Sequence, residues 1–548
     1  MPLPENLKAA EVPQGDRLYD LIRAIQDHAQ FDHPVVKFEL IETHISYVLL
    51  TGPFAYKFKK PLNLGFLDFS TLERRKFYCE EELRLNRRLA PGLYIDVIPI
   101  TGTERNPILG GQHSVIEYAV KMIQFPKGSE LNRVLENGCL TAAHIDQLAV
   151  QVAAFHQGAA VDPMANIFGL PDCIQQQVLA NFSQIRPFIQ GDDEYHNRLE
   201  QLESWTLNAL ERFAQFFRER KQLGYIKECH GDLHLGNIAL YDGKLVIFDC
   251  IDFSGELRWI DVMSETAFLV MDLDARKQPE LAQRFLNAYL QITGDYQGLS
   301  ILRFYRVYRA LVRSKVACIR IKQPGLTESD RLKGIEKHHR YLDLAYDYIQ
   351  PAVTPLVITH GLSGSGKTTL SQPLLEKLGA IRVRSDVERK RLHGMQAGAR
   401  SASELGGGIY SGKSSAQTYR RLVDLAKLVL DAGYPVIIDA AFLQGAERRR
   451  FRDVAYELEV PFIILDFRTE EKLLRKRIEK RRKNGIDASE ADLEVLGTQI
   501  ATREPLDMTE IHDRIIVNTS NGSDPSTILK QIREKISRNS GFPGNSLA

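Results

Sequence analysis

A strand, a glycine-rich loop and a helix follow one another between residues 356 and 379, and this order limits the fold of the C-terminal part. Leu356–Thr359 has the apolar character of a short buried strand, and it leads into Gly-Leu-Ser-Gly-Ser-Gly-Lys-Thr-Thr at 361–369. Leu370–Leu378 then has helical character, and Gly379 ends it. Glycines at this spacing allow the backbone N–H groups to wrap around anionic oxygens, and the helix N-terminus favours negative charge. We therefore expect this loop to bind phosphate groups.

The loop has the Walker A pattern in the strand–loop–helix setting that the pattern requires. Lys367 is expected to act on the β- and γ-phosphates of ATP, and Thr368 to contact Mg²⁺. The predicted nucleotide-binding residues are Gly361, Leu362, Ser363, Gly364, Ser365, Gly366, Lys367, Thr368 and Thr369. Strand-like segments alternate with helical ones after the loop, which predicts an α/β domain with a parallel, doubly wound sheet. These segments are Ile381–Arg384, Pro435–Ile438, Pro461–Asp466 and Arg514–Val517.

Three further features of this region point to phosphoryl transfer. Asp439 ends an apolar strand, as a Walker B-type acid that orients Mg²⁺ does. Ser385-Asp386 with Arg389 resembles the acceptor site of small P-loop kinases, the polynucleotide-kinase, zeta-toxin and gluconate-kinase-like groups. The resemblance implies that Asp386 activates a hydroxyl and that Arg389 steadies the acceptor; a helix N-cap is the alternative for Asp386. The same resemblance implies that the basic segment Leu473–Lys483 is a lid carrying Arg477 and Arg481, which share a helix face; a solvated, ion-paired helix is the alternative.

A second chemical motif lies between His230 and Asp252. The sequence His-Gly-Asp-Leu-His-Leu-Gly-Asn at 230–237 is followed by a Tyr-Asp-Gly turn, an apolar strand and Asp249. Kinase chemistry requires an Asp that accepts the proton of the attacking hydroxyl, and an Asn and a second Asp that bind Mg²⁺. Asp232 is the predicted base, and Asn237 and Asp249 are the predicted metal ligands.

This motif resembles the aminoglycoside phosphotransferase family, small-molecule kinases with a protein-kinase-like fold. The resemblance implies the same roles for Asp232, Asn237 and Asp249, and Asp261 matches a structural acid that braces the catalytic loop. Lys57, in the strand Phe54–Lys60, resembles the kinase lysine that reaches the ATP phosphates, although alternation places Lys59 on the same face. An exposed strand lysine is the alternative.

The glutamate partner of this lysine is expected on a charged helix, Leu72–Leu89. The run Glu80-Glu81-Glu82 offers three candidates, and the offset from Leu85 and Leu89 favours Glu82; a solvated helix face is the alternative. The Gly-x-Gly-x-x-Gly loop that covers phosphates in protein kinases is absent ahead of Lys57, and Glu42–Ser46 occupies its place.

Composition excludes several classes of function. Positive and negative side chains nearly cancel, with a formal net charge of +1, which argues against a dedicated nucleic-acid binder without excluding a basic patch. The six cysteines have neither close pairing nor metal-ligand spacing, which favours a reducing, cytoplasmic location. Neither a signal peptide nor a membrane-spanning run is expected.

Four segments are predicted. They are an N-terminal extension (1–30), an α+β, bilobal kinase-like domain (31–350, with lobes meeting near 124), a P-loop kinase domain (351–536) and a disordered tail (537–548). We expect a tandem ATP- and Mg²⁺-dependent phosphotransferase that acts on hydroxyl groups of small molecules. One alternative is a nucleotide-sensing regulator with a non-catalytic first domain and a P-loop ATPase switch. The other is a 5′-hydroxyl nucleic-acid or nucleotide-sugar kinase. The sequence identifies neither the acceptor nor the oligomeric state.

Overall fold

The computed structural model describes residues 17–65, 67–322, 325–399, 401, 407–484, 490–520, 522 and 524–539, without the side chains of 481–484 and 539. Residues 1–16, residues 540–548 of the predicted tail and the side chain of Arg481 therefore lie outside the described part. The chain forms two compact units. The first comprises Met1–Arg276 and Phe304–Ile349, and the second comprises Lys277–Arg303 and Gln350–Ala548.

Strands occur in both units. In order, the strands are β1 (Glu39–Glu42), β2 (Ser46–Leu50), β3 (Phe54–Lys59), β4 (Tyr94–Gly102), β5 (Pro107–Leu109), β6 (Val115–Ile123), β7 (Ile226–Glu228), β8 (Ile238–Tyr241), β9 (Lys244–Ile247), β10 (Trp259–Asp261), β11 (Leu356–His360), β12 (Ile381–Arg384), β13 (Val436–Asp439), β14 (Phe462–Arg468) and β15 (Arg514–Asn518).

The helices are α1 (Arg17–His28), α2 (Leu72–Asn86), α3 (Leu131–Glu136), α4 (Ala142–Gly158), α5 (Pro171–Ile185), α6 (Asp193–Gln222), α7 (Gly255–Arg258), α8 (Val262–Ala275), α9 (Pro279–Thr293), α10 (Leu299–Ile321), α11 (Glu328–Ile349), α12 (Lys367–Leu378), α13 (Ser385–Leu392), α14 (Gly412–Asp431), α15 (Gly445–Glu457), α16 (Glu471–Asn484), α17 (Leu493–Thr502) and α18 (Pro525–Asn539). Among the described helices, none has the length and apolar character needed to cross a bilayer.

An antiparallel sheet forms the N-terminal lobe of the first unit. Its six strands lie in the order β1-β2-β3-β6-β4-β5. The first strand begins at Glu39, because the chain between Pro34 and Glu39 is irregular and leaves the Val36 side chain 99% exposed. Helix α1, which the sequence analysis assigned to an extension, packs on this sheet. Its apolar residues have amphipathic helix spacing and are Leu18, Leu21, Ile22 and Ile25.

The C-terminal lobe of the first unit is mainly helical and carries two short antiparallel ladders, β7–β10 and β8–β9. The β8–β9 hairpin turns at Asp242 and Gly243, which both have positive φ (50° and 68°). This is the backbone of a type I′ turn, for which Asp-Gly is a favoured pair. The turn directs β9 back along β8, so that Ile247 lies opposite Ile238.

A parallel sheet forms the centre of the second unit. Its five strands lie in the order β12-β13-β11-β14-β15 and all pair in parallel, which confirms the predicted fold class. Buried side chains from the sheet, among them Val357, Ile437 and Leu465, pack with Leu374 of α12 and Ile532 of α18. The P-loop strand β11 is central, with β13 and β14 on its two sides.

Helix α9 belongs to the second unit, although the sequence boundary at 350 assigned it to the first domain. Asn287 explains this placement. Its Nδ2 donates to the carbonyl of Ala380 at 3.0 Å, and its Oδ1 accepts from the N–H of Arg382 at 2.7 Å. The Asn287 amide thus satisfies backbone groups at the start of the edge strand β12, as a neighbouring strand would.

Candidate active sites

The loop between β7 and β8 brings Asp232 and Asn237 into contact in the first unit. Asn237 Nδ2 donates to Asp232 Oδ2 and to the Asp232 carbonyl, both at 3.0 Å. The Phe248 N–H donates to the carbonyl of Asn237 at 3.0 Å, which fixes the end of β9 against the same loop. Asp249 follows directly, so the three predicted residues lie on two connected backbone segments.

Asp232 is held in its ionised form. Burial opposes ionisation, but His234, whose Nε2 lies 3.4 Å from Asp232 Oδ2, and Arg313 lower the pKa of the carboxyl far below its usual range. The side chain nevertheless remains 35% exposed. It therefore combines a negative charge with access from solvent, as a base that receives the proton of a hydroxyl must.

Asp249 has a left-handed backbone, with φ of 65°, which is uncommon for a residue other than glycine. Two side chains from the N-terminal lobe hold this segment. The Asp249 N–H donates to Tyr94 Oη at 3.1 Å, and the Cys250 N–H donates to Asn86 Oδ1 at 2.9 Å. The strained backbone is thus fixed by α2 and β4, and it turns the Asp249 carboxylate towards Lys57.

Both candidate lysines contact Glu82, each through a different carboxylate oxygen. Lys57 Nζ lies 2.8 Å from Glu82 Oε1, and Lys59 Nζ lies 2.7 Å from Oε2. Lys57 also donates to Asp249 Oδ1 at 2.6 Å, whereas Lys59, only 1% exposed, pairs with Asp252. Of the three candidate glutamates, Glu82 is the one that forms ion pairs with both lysines. Lys57 is the lysine that adjoins Asp249, and Lys59 neutralises the buried acids behind it.

This arrangement predicts a pH-dependent stability of the first unit. Burial opposes the charge on Glu82, but Lys57 and Lys59 lower its pKa from 4.5 to about 2. A carboxyl with a lowered pKa stabilises the folded state above pH 4.5, and this contribution disappears as the pH falls towards 2. It amounts to roughly 3 kcal/mol. We expect the free energy of unfolding to fall over this interval in the wild type, and to fall less in Glu82→Gln.

The measurement is tryptophan fluorescence during urea unfolding at several pH values, because both tryptophans, Trp205 and Trp259, lie in the first unit. Glu80→Gln is the matched control, since Glu80 lies on the same helix and its side chain is 56% exposed. Equal pH slopes for Glu82→Gln and Glu80→Gln would show that the Glu82 ion pairs do not stabilise the fold.

The donor set of the first unit fits Mg²⁺. Asn237 uses its Nδ2 as a donor to Asp232, which leaves Oδ1 as an acceptor, and Asp249 uses Oδ1 towards Lys57 while its side chain is 47% exposed. Amide and carboxylate oxygens are the ligands that Mg²⁺ prefers. Asn237 and Asp249 are therefore the residues that would hold it.

Two residues that the sequence analysis missed brace the catalytic loop at Gly231. Glu265 Oε1 accepts from the Gly231 N–H at 2.7 Å, and an Arg309 guanidinium nitrogen donates to the Gly231 carbonyl at 3.2 Å. Gly231 has φ of 89°, and a Cβ there would lie 2.7 Å from the Leu257 carbonyl oxygen, so only glycine fits. Asp261, the expected brace, forms a bidentate pair with Arg220 at 2.6 and 2.7 Å.

A tight turn replaces the glycine-rich cover of protein kinases. Strands β1 and β2 are joined by residues 43–45 alone, and the Thr43 N–H donates to the Ser46 carbonyl at 2.9 Å. The Thr43 hydroxyl also accepts from the Ser46 N–H at 2.9 Å. The position of that cover in the chain is therefore taken by a short turn that carries His44.

The glycine-rich loop of the second unit has the backbone of a phosphate cradle. Gly364 and Gly366 have φ of 81° and 88°. A Cβ at Gly364 would lie 3.1 Å from the carbonyl oxygen of Leu474, so α16 packs closely over the loop. Within the described residues, the buried Ser365 hydroxyl has no hydrogen-bond partner. These features fit a loop built to surround an anionic ligand.

Lys367, Thr368 and Asp439 meet at this loop. Lys367 Nζ donates to the carbonyls of Gly361 and Leu362 at 2.8 and 2.9 Å. The Thr368 hydroxyl donates to Asp439 Oδ2 at 2.7 Å, which joins the start of α12 to the end of β13. A hydroxyl oxygen beside a carboxylate is a suitable donor set for Mg²⁺.

One lid candidate contacts the loop. Arg477, on α16, donates to the Gly364 carbonyl at 3.3 Å and to the Thr519 carbonyl at 2.9 Å. The side chain of Arg481, the second candidate, lies outside the described part, and its role remains a prediction.

The acceptor candidates Asp386 and Arg389 lie together near Tyr410. Asp386 is in the first turn of α13, where Arg384 is the N-cap residue, so Asp386 is not the cap. Burial raises the pKa of the Tyr410 hydroxyl, and the nearby negative charge of Asp386 raises it further. Arg389 is 8% exposed and donates to the Ile409 carbonyl and to Ser415 Oγ, both at 3.1 Å. Arg389 thus joins α13, which carries Asp386, to the first turn of α14 and to the segment that carries Tyr410.

Comparison with known proteins identifies both units. The phosphotransferase enzyme family model matches residues 106–305, and the AAA domain model matches residues 356–506. Amicoumacin kinase, solved with AMP-PNP, Ca²⁺ and Ami, covers 60% of this chain and 93% of its own at 11% identity and a TM-score of 0.37. The APS kinase of Mycobacterium tuberculosis, solved with AMPPNP and APS, covers 34% of this chain and 99% of its own at 19% identity and a TM-score of 0.25.

The sequence relatives cover more of the chain. Uncharacterized proteins of Mycobacterium bovis and Mycobacterium tuberculosis are 30% identical over 419 residues, which is 76% of this chain and 80% of each relative. The adenylyl-sulfate kinase of Erwinia tasmaniensis is 31% identical over 175 residues, which is 28% of this chain and 82% of that enzyme. The chain therefore belongs to the family of these mycobacterial proteins and joins an aminoglycoside phosphotransferase-like kinase domain to a C-terminal P-loop kinase domain.

Proposed function

We propose that this protein is a tandem ATP-dependent phosphotransferase that acts on hydroxyl groups of small molecules, with one site in each unit. The contact of Asp232 with Asn237 at 3.0 Å, beside the Lys57–Glu82–Asp249 ion pairs, carries the proposal. These are the groups that phosphoryl transfer requires, in reach of one another. The six unpaired cysteines support the cytoplasm as its location.

In the first unit, Asp232 would orient the acceptor hydroxyl and receive its proton. The acceptor oxygen would form a bond to the γ-phosphorus of ATP, and the bond between that phosphorus and the β–γ bridging oxygen would break. Because the pKa of Asp232 is lowered, the proton moves late, and positioning dominates over basicity. Lys57 would bind ATP phosphate oxygens, and Glu82 would hold it in place. Asn237 and Asp249 would hold Mg²⁺, which neutralises charge on the phosphates.

In the second unit, the loop N–H groups and Lys367 would bind the β- and γ-phosphates. Thr368 and Asp439 would hold Mg²⁺, Asp386 would receive the proton of the acceptor, and Arg477 would orient the loop. The similarity to an adenylyl-sulfate kinase supports a small-molecule acceptor at this site.

The short turn at 43–45 favours a second candidate, a nucleotide-sensing regulator whose first domain binds ATP without transferring phosphate. The partly exposed, ionised Asp232 favours catalysis, since a binding site needs no base.

The test is incubation of the full chain with ATP–Mg²⁺ and a metabolite extract, followed by mass spectrometry for compounds that gain a phosphoryl group. We expect one class of product to disappear with Asp232→Asn and another with Lys367→Ala. Products that require Lys367 alone would support the regulator.

A further inference from the structure

Four arginines of the first unit cluster around Lys337 of α11. Burial and the nearby arginines lower the pKa of Lys337 to about 8. These arginines lie at the end of α8, on α10 and on α11, and they are Arg276, Arg313, Arg320 and Arg340. Arg313 and Arg340 flank the same ring, with guanidinium carbons 5.9 and 5.6 Å from the centre of Tyr341. We call these five residues the basic cluster.

The basic cluster adjoins the catalytic loop. Arg313 interacts electrostatically with both Asp232 and Asp272. Asp272 Oδ2 accepts from the Leu235 N–H of the loop at 3.0 Å and lies 3.1 Å from Arg276 Nε. The cluster therefore lies beside the predicted base.

It also reaches the turn that replaces the glycine-rich cover. His44 lies in this turn. Burial lowers the pKa of His44 most, and the positive charge of Arg320 lowers it further. The basic cluster is thus close both to Asp232 and to this turn. This is the region in which an acceptor hydroxyl must lie to reach the γ-phosphoryl group.

The cluster has few counter-ions. Of its five members, Arg276 forms an ion pair, with Asp272, whereas Arg313, Arg320, Lys337 and Arg340 pair with no carboxylate among the described residues. Arg313 Nε is buried without a hydrogen-bond partner in that part of the chain. Two carboxylates, Asp232 and Asp272, face the five basic side chains, so positive charge remains in excess, and a bound anion is the physical reason for keeping these side chains together.

We propose that the acceptor of the first unit is a hydroxyl compound with a negatively charged group, such as a phosphate monoester, which the basic cluster binds while the hydroxyl faces Asp232. This inference rests on the proposed function and adds the charge of the substrate to it. Cationic aminoglycosides would be repelled by the same cluster, and the fold by itself does not specify the substrate.

The test uses the full chain saturated with AMP-PNP–Mg²⁺ and titrated in a calorimeter with glycerol 3-phosphate, glycerol, inorganic phosphate or kanamycin. We expect glycerol 3-phosphate and inorganic phosphate to bind, and glycerol and kanamycin not to. Arg313→Gln with Lys337→Gln should weaken phosphate binding about tenfold or more. Lys333→Gln, at an exposed position on the same helix, is the matched control and should leave it unchanged.

Arg320→Gln and Arg340→Gln provide the same test at exposed positions if the double variant fails to fold. Absent phosphate binding, or binding that these substitutions leave unchanged, would overturn the proposal. The Asp232→Asn variant tests the anion site independently of the proposed phosphoryl transfer. This variant should bind phosphate at least as tightly as the wild type, because a negative charge beside Arg313 is removed, even though phosphoryl transfer is lost. Transfer that survives in Asp232→Asn would contradict the proposed function and leave the anion site intact.

Discussion

Replacing Asp232 by Asn is expected to reduce phosphoryl transfer by the first unit about 10²- to 10⁴-fold, the usual contribution of a positioned base. Asparagine keeps the shape of the side chain but removes the negative charge that receives the hydroxyl proton. The Asn237 Nδ2 hydrogen bond to Asp232, 3.0 Å long, can be retained by an amide oxygen, so the loop should keep its structure. The measurement is the initial rate of formation of products that require the first unit, at saturating ATP.

Asp242→Asn is the control for this variant. Asp242 is exposed in the β8–β9 turn, ten positions along the chain, and its positive φ suits asparagine as well as aspartate. A loss of product in Asp242→Asn equal to that in Asp232→Asn would attribute the effect to the hairpin. An Asp232→Asn rate within a few fold of the wild type would show that this carboxylate is not the base.

Replacing Lys367 by Ala is expected to reduce transfer by the second unit about 10²- to 10³-fold, as removal of one charge-stabilising donor does in other enzymes. Lys367 contacts two loop carbonyls, so its ammonium group is already held at the cradle where the phosphates would lie. The expected loss is in the rate at saturating ATP as well as in the affinity for ATP, because charge on the phosphoryl group is largest during transfer.

The control is Lys377→Ala, at an exposed position in the last turn of the same helix. Products of the first unit should persist in Lys367→Ala, and products of the second should persist in Asp232→Asn. If Lys367→Ala abolished both product classes, the two units would not act independently.

The fold of the second unit could be predicted from sequence because its signals are local. The nine residues of the loop, the strand before them and the helix after them are contiguous, and each apolar strand is bounded by turns. The same holds for Asp232, Asn237 and Asp249, which are joined by one tight hairpin. Where a site is built from neighbouring segments, residue order alone indicates its geometry.

The remaining features depend on contacts between distant residues. Glu265 and Arg309 reach Gly231 across 34 and 78 positions, and neither has a motif around it. Helix α9 has an apolar face, but periodicity shows only that the face is buried and not which unit it packs against. Strand alternation places Lys57 and Lys59 on one face and does not indicate which of them binds the ATP phosphates. The acids that distinguish the two lysines, Asp249 and Asp252, lie nearly two hundred residues away in the sequence. Helix α1 has an amphipathic signal at Leu18–Ile25 in its sequence, which predicts the helix but not the sheet on which it packs.

The fate of the γ-phosphoryl group tests the central claim most directly. ATP labelled at the γ-position would be incubated with the full chain and a metabolite extract, and label on organic products would be compared with label in inorganic phosphate. We predict that most of the label released from ATP appears on hydroxyl compounds, in two classes that Asp232→Asn and Lys367→Ala remove separately. Label that appears only as inorganic phosphate, and that depends on Lys367 alone, would contradict a tandem phosphotransferase.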